Sequence, residues 1–211
     1  MKRFILPGAL LLILVLSFLA SGVIPQNLNN KVKVFHNSLS FEDSNDYSKA
    51  LNEMKKNYDE YKGDYLINMR MGWLYYNLKD YNSSKKYYNI ALSIKKNSIE
   101  GYLGLTLPLA ALNEWDKVKN AYNEILKLDP NNYTANLRLG QIYLNSSDFN
   151  SAKKYLEKVY NLYPGYYEPN LSLGYTYYYL GDNSRAKNLL TTALMLSPGD
   201  QLASEGLKLL K

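Results

Sequence analysis

The side chains that usually carry covalent chemistry are scarce in this chain. It holds no cysteine and one histidine, His36. Thiolate nucleophiles, disulfides, cysteine-ligated metals and multi-histidine metal sites are therefore excluded. No Gly-rich phosphate loop, metal-ligand spacing or nucleophile–base set stands among the remaining residues, which argues against an enzyme and calls for no cofactor or metal. The unusual resource is aromatic: 22 tyrosines and 2 tryptophans in 211 residues. Trp73 is followed by Tyr75 and Tyr76, and Tyr175 by Tyr177, Tyr178 and Tyr179. Rings of this kind are typical binding hot spots, so the chemistry on offer is recognition. The net charge of +6 is mild, with Lys2 and Arg3 supplying two of it, and argues weakly for any polyanion and against nucleic acid.

The elements that must position these rings repeat. Leu139-Gly140, Tyr143, Asp148 (followed by Phe149), Ala152, Val159 and Pro164 are answered 34 residues later by Leu173-Gly174, Tyr177, Asp182 (preceded by Gly181), Ala186, Ala193 (followed by Leu194) and Pro198. With position 1 at Tyr65, Ile99, Tyr133 and Tyr167, four units run without insertion over 65–98, 99–132, 133–166 and 167–200. Small residues at positions 8 and 20 let paired helices approach closely. Proline at position 32 in three units (Pro130, Pro164, Pro198) stops the second helix. Thr106 at position 8, Val118 at position 20 and Lys96 at position 32 depart from the pattern.

This period and motif resemble the tetratricopeptide repeat family, a helix–turn–helix unit of 34 residues. The resemblance implies an all-α fold: a right-handed superhelical solenoid, here preceded by an N-terminal hydrophobic helix. It implies that positions 4, 7, 8 and 11 face the second helix and that positions 20, 24, 27 and 28 answer them. Tyr75, Tyr143 and Tyr177 then read as packing residues. Asp46-Tyr47, Ala50, Met54 and Tyr58 fit the same register, so 45–64 reads as a degenerate half-repeat. Residues 201–211 read as a capping helix that covers the last open face.

In this family positions 2, 5, 9, 12 and 13 line a concave groove. The resemblance therefore places Trp73 and Tyr76 of the first unit, Gln141 of the third, and Tyr175, Tyr178 and Tyr179 of the fourth in that groove. Arg70 and Arg138, both at position 6, are the only basic residues of the four first helices. They read either as anchors for polar groups of a partner or as members of ion pairs with Glu100 and Glu168. A carboxylate clamp of the chaperone type is disfavoured, because Met69 and Trp73 stand where Lys and Asn would be needed. Most lysines fall on second helices, so the expected inside is aromatic and aliphatic and the outside basic. Pro108 predicts a kink in the first helix of the second unit.

The start of the chain carries a different signal. Met1-Lys2-Arg3 precedes a run of 21 uncharged residues, Phe4 to Ile24. Residues 1–24 read as a cleaved secretory signal or as an uncleaved membrane anchor. Either places the rest beyond the cytoplasmic membrane: anchored with an extracytoplasmic domain, or secreted or periplasmic. Residues 25–44 read as a linker, although Val32, Val34, Phe35 and Phe41 leave an imperfect first helix or a docked segment open. Sequons at Asn82, Asn132, Asn145 and Asn170 are explained by chance in so Asn-rich a chain.

The expected function is a non-enzymatic scaffold that holds a segment of a protein partner in the aromatic groove. The alternative is a glycan- or cell-wall-binding module using the same rings. Neither expectation names the partner.

Overall fold

The computed structural model describes residues 26–210, so the hydrophobic N-terminal segment expected over 1–24 lies outside the described residues. Among the described residues there are twelve helices and no strand, and the chain divides into two units meeting at residues 62 and 63.

The first unit holds α1 (Gln26–Asp43), α2 (Tyr47–Lys55) and a single turn, α3 (Tyr58–Tyr61). The linker expected over 25–44 is therefore corrected in favour of its alternative, a first helix, here 18 residues long and packed along α2. Its register continues that of the repeats. Val34 at position 4 and Ser38 at position 8 are buried, as are Ala50 and Met54 at positions 20 and 24. The half-repeat thus has a first helix. Its apolar stripe is narrow and set among faces rich in Asn and Lys; such a helix is held by packing more than by propensity. Asn37 donates to Glu53 across the hairpin at 3.2 Å.

The second unit is a stack of four hairpins: α4 (Tyr65–Asn77) with α5 (Tyr81–Ile94), α6 (Ile99–Ala111) with α7 (Trp115–Leu128), α8 (Tyr133–Asn145) with α9 (Phe149–Leu162), and α10 (Tyr167–Tyr179) with α11 (Asn183–Leu196). A last helix, α12 (Gln201–Leu209), closes it. Each helix packs on the next, and first helices of neighbouring hairpins also touch, α4 with α6 and α8 with α10. Helix α6 runs unbroken through the buried Pro108.

Two local devices recur along the hairpins. The residue at position 15 adopts a left-handed backbone: Lys79 (φ 62°), Asn113 (57°), Ser147 (62°) and Gly181 (82°), with Asn45 (58°) at the matching place in the first unit. The next residue then caps the second helix. Asp80, Asp148 and Asp182 each accept from the backbone N–H three residues on, at 3.0–3.1 Å, removing one orphan donor per helix. Glu114, at the same position, makes no cap bond and pairs with Lys85 at 2.6 Å and Lys117 at 2.8 Å.

Close helix approach explains the glycines at position 8. A Cβ on Gly140 would lie 2.4 Å from Leu156 Cγ, and one on Gly174 would lie 2.8 Å from Leu190 Cγ. Thr106, the exception, is buried and satisfies its hydroxyl on the Leu103 carbonyl at 2.7 Å.

Position 4 holds a surprise. Asparagine stands there in three hairpins, buried at 0–2% exposure. Asn136 donates to the carbonyls of Pro130 (3.1 Å) and Asn132 (2.9 Å), and Asn170 to those of Pro164 and Tyr166, both at 2.7 Å. Asn68 donates to Asp64 at 2.7 Å. In the third and fourth hairpins the amide fastens the turn between hairpins to the helix that follows it, a use that an apolar reading of this position does not anticipate.

Candidate partner-binding cleft

The first helices of the third and fourth hairpins, with the closing helix, enclose an open cleft of about 550 Å³. Helix α8 contributes Gln141, Leu144 and Asn145, and α10 contributes Leu171, Ser172, Tyr175 and Tyr179. Phe149 and Ser147 come from the α8–α9 turn region, and Leu202 from α12. The helical register sets this arrangement, since residues three and four apart share a face.

The rings are held rather than loose. Tyr179, 53% exposed, stacks on Phe149 with centroids 4.7 Å apart and planes at 9°. Tyr175 donates its hydroxyl to the Leu202 carbonyl at 2.6 Å, tying the floor of the cleft to the closing helix. Burial, and then the charge of Glu205, push the Tyr175 hydroxyl up, so it stays a neutral donor.

On the rim, Arg138 donates to Gln141 Oε1 at 2.7 Å and reaches Glu168 at 3.4 Å, while Gln141 donates to Ser172 at 3.3 Å. The ion-pair reading of Arg138 therefore describes its state here. With Arg138 and Glu168 offsetting each other, the cleft presents an apolar floor and a neutral, hydrogen-bonding rim.

The other expected site residues part company with this cleft. Tyr178 packs on the core beneath, beside Leu137, Leu173 and Tyr177, and meets Tyr179 edge-on at 5.1 Å. Trp73 and Tyr76 belong to the first hairpin, where they stack on each other at 6.1 Å, with Tyr81 5.7 Å from Tyr76. Trp73 stays 36% exposed. Arg70, which reads as a partner anchor or an ion-pair member, is 8% exposed and offers a partner little surface, whereas the Arg138 side chain at the same position is 47% exposed. The repeat sets where a side chain points; what lies above it differs from unit to unit.

Phe149, Ser172 and Leu202 were not singled out from sequence. Phe149 reads as a packing residue of the 34-residue phrase. Leu202 was hidden by its place in a cap, yet it falls at position 2 of a fifth step, a groove position. Among the described residues no group of three or more His, Asp or Glu is placed to hold a metal ion. No helix among them is long and apolar enough to cross a membrane.

Comparison with known proteins agrees with the repeat architecture. A tetratricopeptide repeat model matches residues 66–98, 133–166 and 167–200. The chain is a tetratricopeptide repeat protein. Its second repeat, 99–132, lies outside the matched segments yet folds as the same hairpin, its departures Thr106 and Val118 both accommodated in the core.

Solved tetratricopeptide repeat structures share the fold. One from Parabacteroides merdae is 18% identical over 86% of this chain and 72% of its own, with a TM-score of 0.77. YrrB, described as having an unusual peptide-binding site, is 19% identical over 83% and 90%, with a TM-score of 0.69. PilW, a type IV pilus biogenesis factor, is 19% identical over 86% of each chain, with a TM-score of 0.68. Identity this low speaks for the fold alone. No curated protein sequence matches the chain.

Proposed function

We propose that this tetratricopeptide repeat protein is a non-enzymatic scaffold that holds a segment of a protein partner in the cleft between its third and fourth repeats. The observation that carries the reading is the cleft: Leu144, Leu171, Phe149 and Tyr179 offer apolar surface, and Gln141, Asn145 and Ser172 ring it with amides and a hydroxyl. Apolar concavities with a few polar groups on the rim are common partner sites. A solved relative described as binding peptide supports the class of ligand. Trp73 and Tyr76, exposed or half-buried on the first repeat, are a second contact for a longer segment.

The basic start and the uncharged run from Phe4 to Ile24 support placing the array beyond the cytoplasmic membrane. An enzyme reporter active only after export, fused after Lys211, tests that placement; a fusion that accumulates in the host yet stays inactive would reject it.

Photo-crosslinking tests the cleft. A crosslinkable residue at Tyr179 is expected to give discrete polypeptide adducts in the native host, and one at Asn188, on the second-helix layer, is not. Adducts at Asn188 alone, or sugar polymer in place of polypeptide at Tyr179, would reject the reading.

A further inference from the structure

The two helix layers of the repeat array differ in charge far more than the chain as a whole suggests. The four first helices carry two basic and two acidic residues, a net charge of zero. The four second helices carry ten basic and three acidic residues, a net +7. Much of the compensating acid sits in the turns, where Asp80, Asp148 and Asp182 are committed to capping helices. Lys86, Lys154, Lys158 and Lys187 have no carboxylate within 4.0 Å among the described residues, whereas Lys119 and Lys127 are paired with Asp116 and Glu124.

Two further features lie on this layer. Between α7 and α9 an open cleft of about 790 Å³ is lined by Lys127, Lys154 and Lys158 together with Asn120, Asn123 and Tyr155, as well as by Glu124, already held by Lys127. Lysines and amides around one cavity are donors in excess of acceptors, as an anion requires. Position 30 of every repeat also leaves an aliphatic side chain 39–45% exposed: Ile94, Leu128, Leu162 and Leu196.

We propose that the second-helix layer docks on the surface of a lipid bilayer bearing anionic headgroups, with the cleft between α7 and α9 taking a headgroup phosphate. The chemistry selects a bilayer over an acidic polypeptide. The uncompensated lysines spread from α5 to α11, wider than one cavity, and a row of aliphatic side chains runs beside them. Lysines flanking exposed aliphatics suit the headgroup boundary, where the charge meets phosphate and the alkyl part enters the acyl edge. The uncharged run from Phe4 to Ile24 makes a membrane the natural neighbour. Docked this way, the array leaves its first-helix cleft free. The proposal does not depend on what that cleft binds.

The absence of cysteine permits a clean test on the full chain. A polarity-sensitive dye is attached to Asn120→Cys, or to Asn145→Cys in the first-helix cleft as a control. Vesicles of phosphatidylcholine, with and without phosphatidylglycerol, are added. The N-terminal segment acts equally in all arms, so the dye response is the readout. At position 120 the emission is expected to shift to the blue with phosphatidylglycerol only, and to revert at high salt. At position 145 it is expected to stay unchanged.

Replacing Lys86, Lys154, Lys158 and Lys187 by Gln is expected to weaken the response more than tenfold, since each lysine near an anionic leaflet contributes roughly fivefold. Arginine at the four positions restores it. Equal shifts with pure phosphatidylcholine, no shift with phosphatidylglycerol, or a shift with soluble polyglutamate in place of vesicles would each overturn the proposal.

Discussion

Lys153, on the second helix of the third repeat, holds its ammonium 5.6 Å from the centre of the Tyr177 ring on the first helix of the fourth. One repeat earlier Lys119 reaches Tyr143 in the same way at 5.8 Å. Position 21 is lysine in all four repeats and position 11 tyrosine in three, so the pairing is a rung between consecutive repeats. In the second repeat position 11 is Leu109, and Lys85 turns instead to Glu114 at 2.6 Å. A solenoid is held by such nearest-neighbour interfaces.

The rung is measurable by a double-mutant cycle. Lys153→Met is expected to cost about 0.5–1 kcal/mol in denaturant unfolding, the range for a partly exposed cation over a ring. In a Tyr177→Leu background the same change is expected to cost close to nothing. Equal costs in both backgrounds would assign the effect to the 3.9 Å contact with Glu157 instead.

Gly140 is the tightest of the position 8 contacts. Its Ala variant would put a methyl 2.4 Å from Leu156 Cγ, within the core. Overpacking of this kind is expected to cost about 1–3 kcal/mol. Combining it with Leu156→Val, which clears the space, is expected to recover part of the loss. The melting temperatures of the four variants decide whether the cause is steric.

The left-handed turn residues give the opposite sign. Lys79 and Ser147 bear φ of 62° with a side chain attached. Glycine relieves that strain while loosening the unfolded chain, so Lys79→Gly and Ser147→Gly are each expected to stabilise by about 0.5–1 kcal/mol. Asn113→Gly is expected to change little, because asparagine tolerates this region. Gly181→Ala should lose stability. Thermal melts of the set should rank in that order.

Alkaline pH offers a fourth test. Burial is the leading cause that pushes the hydroxyls of Tyr65, Tyr88, Tyr133, Tyr175 and Tyr177 up. Tyr167 is pushed up to about 12, by burial and then by Asp200. A folded-state pKa above the unfolded value of about 10 means the native state holds its proton more tightly. Stability is then fully present below about pH 10 and is lost as pH rises through the folded values. Ultraviolet titration should show these tyrosines ionising together with loss of helical circular dichroism. Independent ionisation near pH 10 with the helices intact would contradict the burial.

Much of this protein is legible in its residue order because the repeat is a local rule written four times. A 34-residue period with Gly at 8, Ala at 20 and Pro at 32 determines the hairpins, their register and which layer receives the lysines, since helical spacing alone decides which way a side chain points. What covers that side chain is a matter of distant neighbours. Arg70 and Arg138 share a position, yet one is buried and the other open. Tyr178 and Tyr179 are adjacent, yet one joins the core and the other lines the cleft with Phe149 and Leu202, residues 30 and 23 positions away. The helix at Gln26–Asp43 reads as a linker or an imperfect first helix until its narrow stripe is seen against Ala50 and Met54, and position 4 reads as one more place facing the second helix until the asparagine amides there meet the turns. These are decisions of tertiary structure, because burial and hydrogen-bond partners depend on which segments meet across the fold.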